Sequence, residues 1–208
     1  MIYNYGDAYL KYPLSSEPYI FPNGSTVQVH DIMDCLPEFM KAADLIFVDP
    51  PWNKGNLHSF YTKADIDREV EYDDFYERLF KCIAEISPKT CYIEVGKEYL
   101  ADFIIRMRRH YKHVTFYNST YYHKKENKCY IVRGSHKYLP KPKLDDIDEE
   151  DIIKWICENE EYTTIGDLCM GRGLVGFYAN QVGRRFVGTE LNAKRLSVLL
   201  KRIDTGRI

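Results

Sequence analysis

The apolar run Leu45-Ile46-Phe47-Val48 ends on Asp49-Pro50-Pro51-Trp52 and the polar Asn53-Lys54-Gly55-Asn56. Four branched or aromatic residues in succession predict a central strand buried on both faces, with the carboxylate and prolines at its C-terminal end. In open parallel sheets that edge binds ligands. Upstream, residues 26–30 alternate weakly and reach Asp31, and a short helix is expected over 34–42. Strand, acid, helix, strand and second acid make a βαβ unit with both acids at one sheet edge. Downstream, 53–72 show no clean period and predict a functional loop or lid. Phe75, Leu79, Phe80 and Ile83 then mark a helix that Asp73 or Asp74 caps. Residues 90–95 read as a strand stopped by Gly96, and 99–109 as a helix with Phe103, Ile104 and Met107 inward. Residues 114–122 and 128–133 predict a hairpin joined by the polar stretch 123–127.

The flanks are different in kind. Residues 1–24 carry Tyr3, Tyr5, Tyr9, Tyr12, Tyr19 and Phe21 among Pro13, Pro18 and Pro22, without a period, and predict an irregular arm held by its rings. Residues 135–150, with Pro140, Pro142 and an acidic run, read as a linker before an amphipathic helix carrying Ile152, Ile153, Trp155 and Ile156. A strand ending at 165–169 runs into Met170-Gly171-Arg172-Gly173-Leu174-Val175-Gly176, a glycine turn that opens a helix. A second strand leads to Gly188-Thr189-Glu190, and a helix with Leu196, Leu199, Leu200 and Ile203 closes the chain. The organisation expected is an arm over 1–24 and one domain over 25–208. That domain comprises a catalytic half (25–134), a linker (135–150) and a cofactor half (151–208).

At 208 residues the chain is of single-domain length and buries about 70% of its unfolded surface. Six scattered cysteines and the lack of an apolar leader suggest reduced thiols and a cytoplasmic setting. No apolar run approaches the roughly 18 residues of a membrane span. The net charge of −2 hides an asymmetry. Residues 100–143 hold eleven Lys and Arg against Asp102 and Glu126, a local +9, so the remainder carries −11. That excess can neutralise phosphates if it shares one face, or be a solvated basic surface.

Two stretches carry chemistry. Consecutive prolines make a stiff turn whose carbonyls are free of a regular ladder. Asp49 and a proline carbonyl beside the Trp52 ring therefore suit a planar base bearing an amino group, which donates two hydrogens and stacks. In the second stretch, Gly171-x-Gly173-x-x-Gly176 is followed by Glu190, 19 residues past its first glycine. Glycines let the backbone approach a ligand, and such an acid accepts ribose hydroxyls. The spacing passes as a nicotinamide-dinucleotide pattern; a P-loop is excluded because no Gly-Lys-Ser or Gly-Lys-Thr follows. His110 and His113 have no third ligand in reach by sequence, and no metal site is expected.

Asp49-Pro50-Pro51-Trp52 resembles motif IV of the S-adenosylmethionine-dependent amino-methyltransferases, and with its initial Asp and final Trp looks most like the N6-adenine branch. Cytosine N4 enzymes usually carry Ser at the position of Asp49. Asp167, Gly171 and Gly173 resemble motif I, and residues 183–192 resemble motif II. The order resembles the permuted β-class, in which the cofactor half comes last. The resemblance implies an α/β, Rossmann-like class I methyltransferase fold, circularly permuted, with a mostly parallel seven-stranded sheet and an antiparallel hairpin at one edge. It implies S-adenosylmethionine on Asp31, Lys141, Asp167, Cys169, Gly171, Gly173, Glu190 and Asn192, with Glu190 on the ribose and Asp31 on the adenine amine. Catalysis would rest on Asp49, Pro50, Pro51 and Trp52. Substrate contacts would come from Asn53, Lys54, Tyr121, Tyr122, Lys124 and Lys125, although strand tyrosines also serve as packing. The chain departs from the family at Leu168 and Cys169, where Pro and Phe are usual, and Lys141-Pro142 matches motif X loosely. The implied partner is DNA, favoured over RNA on compact size, with a homodimer or helper subunit open. An RNA N6-adenine or a DNA N4-cytosine methyltransferase is the nearer alternative; a non-catalytic partner subunit and a nicotinamide-dependent oxidoreductase are the remoter ones.

Overall fold

In the computed structural model, which describes residues 7–208, Leu45–Val48 forms a fully buried strand, β3, near the middle of one sheet. The other strands are β1 (Tyr19–Ile20), β2 (Thr26–Val29), β4 (Thr90–Val95), β5 (His113–Tyr121), β6 (Lys124–Ser135), β7 (Ile147–Asp148), β8 (Thr164–Asp167) and β9 (Arg185–Glu190). Their spatial order is β1-β2-β9-β8-β3-β4-β6-β5-β7. From β2 to β4 all neighbours are parallel, and β6 and β5 form an antiparallel hairpin. The sheet has nine strands where seven were expected, and β7 takes the edge beyond the hairpin. Early strand β2 lies beside late strand β9, so the C-terminal strands fold back against the start of the sheet.

Alternation along β3 divides the core between the two sheet faces. Ile46 and Val48 pack with Met40, Leu79, Ile83 and Phe103. Leu45 and Phe47 pack with Ile152, Ile156, Phe177 and Leu199. One face carries α3 (Tyr72–Ile86) and α4 (Leu100–His110). The other carries α5 (Glu149–Asn159), α6 (Leu174–Gln181) and α7 (Ala193–Thr205). Among the described residues, no helix is long and apolar enough to cross a membrane, and none of the six cysteines is paired.

Several expectations are corrected. The arm is not wholly irregular: α1 (Ala8–Lys11) precedes β1, which pairs antiparallel with β2; Tyr3 and Tyr5 lie outside the described residues. Over 34–42 only a 3-10 turn forms, Glu38–Ala42, because Pro37 donates no hydrogen bond and restricts Leu36 before it. The expected lid 53–72 begins as a helix, α2 (Lys54–Lys63), with Leu57 and Tyr61 one turn apart and buried. The helix α3 starts at Tyr72, with Asp73 and Asp74 in its first turn and neither acting as cap. The hairpin connection is Tyr122-His123 alone, both left-handed (φ 59° and 53°), the geometry of a two-residue turn matched to strand twist. The linker ends in β7, parallel to β5, and Asp148 then caps α5 by accepting from the Glu150 amide.

Candidate active site

Strand register brings the carboxylates together. Val48 lies beside Ile93, so the residues that follow on adjacent strands are Asp49 and Glu94. On the other flank, β8 ends at Asp167 and β9 runs on to Glu190. The helix α5, launched by the Asp148 cap, adds Glu149. Oxygens of Asp49, Glu94 and Glu149 lie within 4.8 Å of one another. A cavity of about 700 Å³ opens over this edge, lined by Asp49, Pro50, Trp52, Tyr121, Glu149 and Asp167 among others. A narrower, more apolar recess adjoins it, lined by Ile32, Leu57, Phe60, Tyr61, Leu191 and Glu190. Asp49, Pro51, Phe60, Cys169 and Arg195 line both.

Asp49 is open to the cavity but walled by protein, and burial pushes its carboxyl up to about 7, with Glu149 adding to the rise and Trp52 and Arg195 opposing it. The Trp52 indole Nε1–H donates to Asp49 Oδ1 at 2.9 Å, and its ring meets Tyr121 edge-on with centroids 5.1 Å apart. Trp52 is thereby a positioning group for the carboxylate as well as a ring at the cavity wall. The Tyr72 hydroxyl donates to the Pro51 carbonyl at 2.9 Å and stiffens the proline turn from below.

Glu94 is 0% exposed, and no nitrogen or hydroxyl donor reaches either of its oxygens, which have the Glu149 carboxyl and the Cys129 thiol for neighbours. Burial first, and then Asp49 and Glu149, hold it well above the usual carboxylate range. Glu149 is raised by burial as well. Three carboxylates this close, one of them wholly buried, disfavour one another's charged forms. Asp167 and Glu190 are also raised by burial.

On the glycine side, Gly171 and Gly173 adopt φ of 56° and 75°. A Cβ on Gly173 would stand 2.5 Å from Leu199 Cβ, so the turn closes against α7 only with glycine there. The Glu190 carboxylate accepts from the Gly171 amide at 2.7 Å and the Asn192 amide at 3.0 Å. Asn192 caps α7 through the Lys194 and Arg195 amides and donates to the Lys63 carbonyl at 2.8 Å, tying α2 to the cofactor half. Asp167 Oδ1 accepts from the Cys169 amide at 2.9 Å. Asp31 lines the recess, with its oxygens held by Tyr61 and Arg68 at 2.8 Å each.

Other expected site residues lie elsewhere. Lys141 pairs with Asp145 at 3.0 Å and sits over the Tyr117 ring, away from the residues that line the cavity. The Asn53 side chain caps α2, accepting from the Asn56 amide, and Lys54 pairs with Glu71 in solvent. Lys124 and Lys125 lie in β6, exposed just past the turn, whose Tyr122 lines the cavity although it is 74% exposed. The strained turn is held by Asp148, which accepts from the His123 amide at 2.8 Å and the Thr120 hydroxyl at 3.2 Å. The basic stretch does not share one face. Arg133 is buried against the Tyr117 hydroxyl, and Arg106 pairs with Glu77. Sequence reasoning missed Glu94, Glu149, Phe60 and Arg195, whose guanidinium lies 4.8 Å over the Phe60 ring. Glu94 had a signal: it is the one charged residue in a buried six-residue strand.

No protein-family model matches the chain, and a search of curated proteins finds no match. Solved structures do. The M1.HpyAVI–SAM complex is 14% identical with a TM-score of 0.56, covering 85% of this chain and 98% of that one. TTHA0409, described as a putative DNA modification methylase from Thermus thermophilus complexed with S-adenosyl-L-methionine, is 15% identical with a TM-score of 0.59, covering 86% and 94%. The cytosine-N4-specific PvuII DNA methyltransferase is 13% identical with a TM-score of 0.60, covering 93% and 97%. The likeness shows that the chain has the Rossmann-like methyltransferase fold.

Proposed function

We propose that the protein transfers a methyl group from S-adenosylmethionine to the N6 amino group of adenine in DNA, acting on a base turned out of the helix. The observation that carries this is that the Asp49-Pro50-Pro51-Trp52 turn, Asp167 and Gly171 line one cavity, with Glu190 in the recess that adjoins it. The three structural neighbours, described as a SAM complex and DNA methylases, support the reading.

The residues fit this cofactor chemically. Its sulfonium and ammonium groups are cationic, and the cavity and its recess supply the acids Asp167 and Glu190, each raised by burial although Arg195 opposes the rise. Glu190 would take the ribose hydroxyls with the lone pairs its two backbone amides leave free, and Asp167 with the glycine turn would take the methionine end. Phe60 and Tyr61 of α2 would supply the ring expected near the cofactor, which Cys169 does not. When bound, S-adenosylmethionine supplies a methyl already activated by the sulfonium charge.

The chain's own work is to present the acceptor. An aromatic amine is a poor nucleophile because its lone pair is delocalised into the ring. Its two hydrogens, donated to the free Asp49 oxygen and the Pro50 carbonyl, favour a pyramidal nitrogen whose lone pair is available. These bonds strengthen as the nitrogen becomes positive, and Asp49, poised at about 7, can receive the proton that the methylated amine sheds. Tyr121 and Tyr122 would flank the base, at an unstacking cost of a few kcal/mol, with Lys124 and Lys125 toward phosphate.

The test is to incubate the purified chain with labelled S-adenosylmethionine and separate DNA and RNA pools, then identify the modified nucleoside. N6-methyldeoxyadenosine is expected. Label on N4 of deoxycytidine or in RNA alone would change the substrate, and label in neither would overturn the reading.

A further inference from the structure

We propose that Glu94 is a second reader of the substrate base: as a neutral carboxylic acid it donates a hydrogen bond to the ring nitrogen beside the acceptor amine, while Asp49 accepts from that amine. The inference rests on the methyl-transfer reading and goes beyond it by giving the site a specificity-determining residue. In adenine the atom next to the amine is N1, an acceptor. An edge of amine plus acceptor is matched by one acceptor and one donor, set side by side.

The floor of the cavity provides such a pair. Register puts Asp49 and Glu94 on adjacent strands at the same level, with oxygens inside the 4.8 Å cluster. Glu94 lines the cavity, is wholly buried, and has no nitrogen or hydroxyl donor on either oxygen, only the Glu149 carboxyl and the Cys129 thiol beside it. A buried carboxylate in that condition is unstable, whereas a buried carboxylic acid has a proton to give. The groups facing Glu94 hold it neutral: Asp49 from β3 and Glu149 from α5 are acidic, and Cys129 from β6 is a thiol that burial pushes up to about 12. Asp49 differs because the Trp52 N–H and Arg195 favour its charged form. Environment thus separates two neighbouring carboxyls into an acceptor and a donor.

The pair titrates as a unit. Activity should rise with pH as the cluster yields the Asp49 proton and fall at higher pH as it yields that of Glu94. Glutamine keeps a donor but cannot ionise, so Glu94→Gln should retain preference for an acceptor at N1 and lose the alkaline fall.

The experiment compares methylation of, and equilibrium binding to, DNA carrying adenine or 1-deazaadenine, which has C–H in place of N1. Wild type should prefer adenine by roughly 10- to 100-fold in both readouts, the effect of one buried hydrogen bond left unmade. Glu94→Gln should keep that preference with a flattened alkaline limb, and Glu94→Ala should lose it while both variants melt as folded protein. Equal use of the two DNAs by wild type overturns the proposal and leaves the methyltransferase reading standing. Methylation of neither DNA overturns both. Calorimetric titration with Mg²⁺ or Mn²⁺ alone is the control: stoichiometric binding abolished by Glu94→Gln would mean the cluster holds a cation in place of a proton, and would also overturn it.

Discussion

Two acids stand at strand tips on the same edge of the sheet, and the protein treats them oppositely. Each Glu190 oxygen is fixed by a main-chain amide, from Gly171 and Asn192. Asp49 has one oxygen fixed by a side chain, the Trp52 indole, and faces two further carboxyls. Backbone contacts on both oxygens make Glu190 a rigid part of the turn it serves. The incomplete shell of Asp49 leaves a charged acceptor in a site that penalises charge, which suits a group meant to engage a donor in passing. On the proposed function, the contrast separates a half that holds from a half that reacts.

Breaking the holding half should have the largest structural effect. Gly173→Ala places a Cβ against Leu199 at a left-handed φ of 75°. It is expected to cost about 2–5 kcal/mol in urea unfolding, from backbone strain and overpacking together, and to lower S-adenosylmethionine affinity. Unchanged stability and affinity would mean that the turn relaxes freely and does not shape the cofactor side.

A smaller change sharpens the reacting half. Trp52→Phe keeps a ring but removes the N–H that favours ionised Asp49. The Asp49 carboxyl should rise further above about 7. The ionised form then appears only at higher pH, so the acid limb of the rate profile should move to higher pH, with a loss at neutral pH of about tenfold. An unmoved limb would show that the indole acts by stacking alone.

The smallest effect belongs to Lys141→Ala. Its exposed pair with Asp145 is worth at most about 0.5–1 kcal/mol, and cofactor affinity should not change. A clear fall in affinity would restore the role that the loose match of Lys141-Pro142 to motif X implied.

These residues also show what the sequence can and cannot disclose. The span of β4 and the apolar stripe of α3 are readable because strong periods and clean stops mark them. The helix α2 is harder: Leu57 and Tyr61 are one turn apart and Asn53 is a good cap, but surrounding polar residues dilute the stripe. Tyr122-His123 carries only a weak turn signal, because Tyr does not favour left-handed backbone and there is no Asn-Gly or Asp-Gly pair; Asp148, 25 residues away, holds the turn through the His123 amide. Arg133 counts as surface charge in any tally, yet its strand position turns it inward. The tip acids Asp49, Asp167 and Glu190 follow from strand ends, whereas Glu94 and Glu149 join them only through register and the start of α5. Local pattern reveals elements; convergence of side chains depends on how strands are aligned.

The most direct test of the division between holding and reacting tips is Asp49→Ala, with its fold verified by melting and its S-adenosylmethionine binding measured by calorimetry beside its rate of methyl transfer to DNA. The division predicts that the cofactor still binds while transfer falls by at least about 10²–10³-fold, as when a preorganised transition-state contact is removed. A folded Asp49→Ala protein that transfers methyl at close to the wild-type rate would contradict it.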